Sequence, residues 1–209
     1  MANISPVIDD SPQLDRRITR SRHAVENAML YLLEDKRPFE EITISEVAEH
    51  AGVTRKTLYA HYSSTENIVR QISKTMLAEI GISLKDVHLQ HPLDESVFGK
   101  KLLESAQKNA AKLRLLITCC PSEVFLGPVR DEIAVLIKRV RLINNVPELG
   151  AFATLCLIEI IGAATLGALT AWSRNDFKDP PQTMSHIYMT IVMDGFNRLM
   201  AEHIVEPER

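Results

Sequence analysis

The sequence predicts an all-α protein, a small N-terminal unit of three short helices followed by a larger helical bundle. Three observations predict it. Apolar residues recur three and four apart through most of the 209 residues, the spacing of one helix face. Glycine fills only eight positions and aromatics 5%, with few alternating Val, Ile and Thr runs, so strands are not indicated. Thr43-Ile-Ser-Glu46 and Ser63-Ser-Thr-Glu66 have the form of capping boxes, in which a hydroxyl and a carboxylate satisfy the first free backbone groups of a helix.

Residues 1–14 carry Pro6, Pro12 and paired aspartates without periodicity and read as a mobile leader. From Arg16 to Leu33 a helical stripe runs through Ile18, Val25, Ala28, Met29, Leu32 and Leu33, and Pro38 ends it. Thr43 opens a short helix reaching Ala51, Gly52 supplies a sharp turn, and Thr54 caps a second short helix with Leu58 facing inward. Ser63 to Glu66 opens a long segment with Ile68, Val69, Ile72, Met76 and Ile80, weakened at Gly81 and broken at His91-Pro92.

Helical patterns resume at 97–109, 110–118 and 129–142, with breaks expected at Pro121, Gly127-Pro128 and Pro147. The last two elements are 148–172 and, after Asp179-Pro-Pro181, 182–203. Ala151–Trp172 holds one charge, Glu159, in twenty-two residues, long enough to cross a bilayer. The missing cationic flank and the mid-segment Glu159 favour a buried helix over a membrane span. Ala163, Gly167 and Ala171 line one side of it, where a second helix can approach closely.

Composition narrows the function. Hydrophobic residues at 45% and charged residues at 24% are an ordinary globular balance. A net charge of −3 argues against tight non-specific nucleic-acid binding. The N-terminal 72 residues hold nine Lys/Arg against eleven Asp/Glu, but the cations are bunched at Arg16, Arg17, Arg20 and Arg22 and at Arg55 and Lys56. Cys119, Cys120 and Cys156 form no metal-ligand spacing and no disulfide framework, so a reduced cytoplasmic setting is expected. The seven histidines include no pair four apart, and no metal site is expected. Without a Ser-His-Asp pattern, a phosphate-cradling glycine loop or paired carboxylates, neither an enzyme nor a cofactor is indicated.

The segment Ile42-Thr-Ile-Ser-Glu-Val-Ala-Glu-His-Ala-Gly-Val-Thr-Arg-Lys-Thr-Leu-Tyr-Ala-His-Tyr62 resembles the helix-turn-helix of the tetracycline-repressor-like (TetR) transcriptional regulators. The resemblance covers residues 16 to about 72 and rests on Ala48, Ala51-Gly52-Val53 and Thr57-Leu58-Tyr59. It implies a DNA-binding domain at 15–72 and a helical regulatory and dimerisation domain at 73–209. The implied protein is a homodimeric repressor that leaves a palindromic operator when a small effector binds. The family commonly has lysine where this chain has Thr65, which removes one phosphate contact, while Lys56 stands where a small residue is frequent.

The side chains agree with that reading. The second helix of such a motif enters the major groove with its first turn toward base edges. Here that turn is Thr54, Arg55, Lys56 and Thr57; arginine pairs with guanine and threonine makes mixed contacts. Tyr59, His61 and Tyr62 have the reach for phosphate oxygens, as do Thr43, Arg16 and Arg17. For a largely apolar effector the candidate residues are Met76, Phe98, Leu102, Leu116, Phe125, Glu159 and Trp172. For a four-helix dimer interface they are Gly162, Ala163, Leu166, Leu169, Val192, Met193, Phe196 and Met200. A protein partner as input, or a redox switch at Cys119-Cys120, are the alternatives.

Overall fold

The computed structural model describes residues 11–35, 37–90 and 95–202, with side chains described there except at 11–18, 95–96, 193 and 199–202. Within them the order is α1 (Ser11–Glu34), a 3-10 turn (Phe39–Glu41), α2 (Ile44–Ala51), α3 (Arg55–His61), α4 (Thr65–Ser83), α5 (Glu95–Lys108), α6 (Ala110–Cys119), α7 (Ser122–Ile143), α8 (Ala151–Ser173) and α9 (Pro181–Glu202). The all-α architecture expected from periodicity is the one observed. The chain divides into two units between Ile68 and Val69, inside α4.

In the first unit α1 buries Val25, Ala28, Met29, Leu32 and Leu33, and α2 buries Ile44, Val47 and Ala48. Residues four and seven apart share a helix face, so each of these helices offers one stripe to a common core. Phe39 and Ile42, on either side of the 3-10 turn, fill the same core. The ring of Tyr31 on α1 lies 5.5 Å from that of His50 on α2.

In the second unit the core gathers Val87, Leu89, Phe98, Ile137, Val140, Leu157, Met189 and Phe196 from the segment after α4 and from α5, α7, α8 and α9. Gly99 on α5 lets α9 come close: a Cβ there would sit 2.6 Å from Met189 Cγ. Asn144 Nδ2 donates to the Leu89 carbonyl at 2.9 Å, fixing the end of α7 against the segment that follows α4. Arg130 of α7 pairs with Glu159 of α8 at 2.9 Å and, within α7, with Glu123 at 2.7 Å.

Three elements depart from expectation. Helix α1 begins at Ser11, inside the stretch read as leader; residues 1–10 lie outside the described residues. Ser64 caps α4, accepting from the Asn67 amide at 3.2 Å, so the box read from Ser63 is displaced by one residue. Helix α7 runs unbroken through Gly127-Pro128. Proline inside a helix costs about 3 kcal/mol, but Val124, Phe125, Leu126, Pro128 and Val129 are all buried, and that packing holds the helix through the break.

The close approach at Gly99 gives a paired test. Gly99→Ala overpacks α5 against α9 and should lower stability by about 1–3 kcal/mol in urea titration. Gly81→Ala, with open space around its Cβ, should raise stability by about 0.5–1 kcal/mol.

Candidate nucleic-acid interface and body cavities

The interface is built from the turn upward. Thr43 precedes α2 with extended backbone, and its hydroxyl accepts from the Glu46 amide at 3.3 Å. The Glu46 carboxylate accepts from the Thr43 amide at 2.9 Å, completing the capping box. Arg37 Nη1 and Nη2 both donate to Glu46 Oε1, at 3.1 and 3.2 Å, tying the segment before the 3-10 turn to the first turn of α2. The backbone and side-chain hydrogen bonds of Thr43, followed by the bond from Arg37, hold the Glu46 carboxyl below its ordinary 4.5.

Gly52 ends α2 at φ 64, a left-handed conformation that costs glycine little. Its amide bonds back to Glu49 at 3.1 Å and the Val53 amide to Ala48 at 3.0 Å, so the chain reverses direction within two residues. Thr54 then caps α3: its hydroxyl accepts from the Thr57 amide at 3.1 Å and lies 2.8 Å from the Thr57 hydroxyl.

Helix α3 has one inward stripe. Leu58 is buried, and so is Tyr62 just past the end of the helix. Thr54, Arg55, Lys56, Thr57, Tyr59 and His61 are exposed, with Tyr59 57% accessible. Two cations, a phenol, an imidazole and two hydroxyls thus lie exposed along one short helix of about two turns. That set can donate to base edges and phosphate oxygens.

Tyr62 is a correction to the sequence expectation. It stands four residues after Leu58 and is only 6% accessible, so it serves the core and not phosphate contact. Burial, then the nearby Glu26, pushes its phenol upward. Thr43 is exposed, though its hydroxyl is engaged in the cap. The side chains of Arg16 and Arg17 lie outside the described residues, while Arg20 and Arg22 farther along α1 are exposed.

The second unit contains two adjoining apolar cavities. The outer, about 200 Å³, is lined by Leu84, Leu89, Phe98, Leu136, Ile161 and Phe196 among others, with Glu132 and Arg139 as its charged members. The inner, about 80 Å³, is lined by Met76, Leu103, Phe125, Leu169, Trp172 and Met184 among others. Of the predicted ligand residues, Met76, Phe98, Leu102, Phe125 and Trp172 line these spaces. Leu116 is fully buried and lines neither; Glu159 is exposed on α8 and held by Arg130. Periodicity placed both on helices but not on the side facing a void. Tyr188 and Thr165, which line both cavities, went unread because a hydroxyl in an apolar helix gives no periodic signal.

Helices α8 and α9 leave a broad apolar surface uncovered. Among the described residues α8 is the one helix long and apolar enough to cross a membrane, and only 17% of that window is buried. Phe152 is 79% accessible, Ile160 65% and Ile191 73%, with Leu155, Ala163, Gly167 and Ile187 also exposed. Several predicted interface residues lie elsewhere. Leu169, Val192 and Phe196 are buried in the chain's own body, and Gly162 faces Arg130 and Ile133 of α7. Leu166 is half-buried; the side chains of Met193 and Met200 lie outside the described residues. Ala163, also among the predicted residues, is exposed on the outer side of α8.

Of the two adjacent cysteines, Cys120 is buried and Cys119 half-buried. Burial, then the neighbouring Cys119, pushes the Cys120 thiol up to about 12, and the thiolate is the reactive form. Among the described residues no group of His, Cys, Asp and Glu has the arrangement of a metal site.

Residues 34–72 match the model of the bacterial regulatory proteins of the tetR family. The chain is 35% identical over 115 residues to YxbF of Bacillus subtilis (strain 168), an HTH-type transcriptional regulator; the match takes in 55% of this chain and 28% of that protein's length. A TetR transcriptional regulator from Streptococcus agalactiae has a similar structure, with a TM-score of 0.60, 21% identity, and coverage of 87% of this chain and 98% of that one. Also similar in fold is Thermus thermophilus FadR, a TetR-family repressor solved with lauroyl-CoA: TM-score 0.52, 17% identity, covering 90% and 97%. Bacillus subtilis FadR, solved with stearoyl-CoA, gives a TM-score of 0.54 at 15% identity, covering 83% and 98%.

The cap at Glu46 predicts a pH signature. Its folded pKa is lowered, so its stabilisation is present above the unfolded value and is lost as pH falls through the folded one. In urea titrations the wild type should exceed Glu46→Gln at neutral pH, and the difference should shrink progressively once pH drops below 4.5.

Proposed function

The chain belongs, through its helix-turn-helix unit, to the tetR family of bacterial regulatory proteins, and we propose that it is a homodimeric transcriptional repressor released from a palindromic operator by a small apolar effector. The observation that carries the DNA-binding part is the two-sided α3: Leu58 anchors it while Arg55, Lys56, Thr57 and Tyr59 face solvent together. Arg55 supplies base reading, Lys56 and Tyr59 phosphate contacts. Such a protein works in the cytoplasm, where the DNA is, and is not an enzyme.

Dimerisation follows from the uncovered side of α8 and α9. An apolar surface this continuous, on a body with a closed core, calls for a partner, and a second copy offers the same surface in return. The approach runs along Phe152, Leu155, Ile160, Ala163 and Gly167 of α8 and Ile187 and Ile191 of α9. A dimer also explains how one short helix suffices, since two copies bind two half-sites about 34–36 Å apart.

The effector is aliphatic. The lining of both cavities is mostly Leu, Ile, Val, Met, Phe and Trp, and the FadR proteins of similar fold were solved with lauroyl-CoA and stearoyl-CoA. Met76, Leu77 and Ile80 of α4 line the cavities, and α4 is also the segment in which the two units join. A ligand that packs differently against α4 in two arrangements of the body shifts the equilibrium between them by that difference in affinity.

Selection of bound sites from random duplex DNA tests the proposal. The wild type should enrich a palindrome that Arg55→Ala/Tyr59→Ala does not. Arg55→Ala alone should cost about 1–3 kcal/mol at one base position. Lys56→Ala should reduce the slope of log affinity against log salt by about one unit. No enrichment at low salt sinks the DNA-reading role. Cys119→Ser/Cys120→Ser should keep both DNA binding and its response to effector; a lost response to oxidant in that variant would instead favour a redox input.

A further inference from the structure

Resting on the reading of the body as the effector site, we propose that Thr165 and Tyr188 form a length selector, a hydrogen-bonded gate that an unbranched ligand chain must pass to reach the inner cavity. Six residues line both cavities: Leu77, Ile80, Leu102, Val129, Thr165 and Tyr188. Four are aliphatic, and the other two carry hydroxyls 2.8 Å apart. Thr165 Oγ1 also lies 2.8 Å from the Ile161 carbonyl, which can only accept. The threonine proton therefore goes to Ile161, and Tyr188 donates to Thr165. This polar contact spans α8 and α9 where the two apolar spaces meet.

The consequence is a barrier of known sign. A short chain fits in the outer cavity and leaves the pair intact. A longer one must separate it, stranding the half-buried Tyr188 hydroxyl among aliphatic groups. Losing one such bond weakens binding about threefold to tenfold. Each methylene buried beyond the gate strengthens it by about fourfold. Affinity plotted against chain length should therefore rise, pause where the chain meets the gate, and rise again. The inner cavity, less than half the volume of the outer, takes an alkyl tail and excludes a ring system. Its far wall is fixed: Trp172 Nε1 donates to the Asp179 carbonyl at 3.0 Å, and the Phe177 ring packs 5.2 Å from the indole.

Trp172 is the single tryptophan of the chain, so its emission reports on the inner cavity alone. The experiment titrates the full-length protein with straight-chain saturated fatty acids from hexanoic to stearic, following thermal stabilisation and Trp172 fluorescence together. Short acids should stabilise the protein without altering emission, and those beyond the pause should alter both. In Tyr188→Phe, which leaves the Thr165 hydroxyl bonded to Ile161, the pause should vanish and long acids should bind about threefold to tenfold more tightly. Thr165→Val provides a second variant with the gate bond removed and should also lose the pause.

Emission that responds equally to short and long acids overturns the proposal. So does weaker binding at every length in Tyr188→Phe, which would make the pair a ligand for a polar effector group. Failure of every acid to stabilise the protein overturns it as well. DNA binding is read separately: a length step without any selected DNA site would leave the gate standing and remove the regulator reading.

Discussion

A helix of seven residues does not hold its shape in water, because nucleation costs more than so few hydrogen bonds return. Helix α3 is of that length, and the first unit is organised around keeping it folded and aimed. The Thr54 cap satisfies an amide at its start, Leu58 and Tyr62 fix it from below, and the reversal at Gly52 sets its direction from α2. Helix α2 is itself only eight residues long and depends on the Thr43–Glu46 box and its tie to Arg37. Because all the anchoring lies on one side, the other is free to carry Arg55, Lys56, Thr57 and Tyr59. The proposed DNA-reading surface is thus the remainder left when a short helix has been secured.

The same economy of sides governs the body. Helix α8 is apolar all round, so one side completes the core with Leu157, Leu169 and Trp172 while the other stays bare. Its one carboxylate, Glu159, is held at the surface by Arg130 of α7, a bond that ties α7 to α8, while Glu123 on α7 itself holds the same guanidinium in place. That pairing keeps a charge out of the apolar interior, where an unpaired carboxylate is costly. The cavities lie on the inward side, bounded by α4, α5, α7 and the Thr165–Tyr188 contact. One helix thereby serves as cavity wall, core and proposed dimer surface at different angles around its axis.

Much of this was legible in the sequence. The turn at Gly52, the caps at Thr43 and Thr54 and the inward Leu58 follow from local chemistry within a few residues, which is why they were read correctly. Tyr62 was not, since a phenol suits a phosphate contact and a core equally, and only the packing around α3 decides. The unbroken α7 shows tertiary burial overriding the local cost of Pro128. The outward side of α8 was illegible for another reason: in a helix so uniformly apolar the sequence contains no stripe, so its inner and outer sides cannot be told apart. The Thr165–Tyr188 contact joins residues 23 apart in sequence on two helices, and no single-helix pattern can reveal it.

The central claim is that two copies of α3, held at a fixed separation, read one DNA site together. The most direct test compares affinity for a selected full palindrome with affinity for one half-site in the same flanking sequence, with stoichiometry by sedimentation. The account predicts two protomers on the full site and binding tighter by about 100-fold or more. Equal affinity for the two duplexes, with one protomer on each, would contradict it.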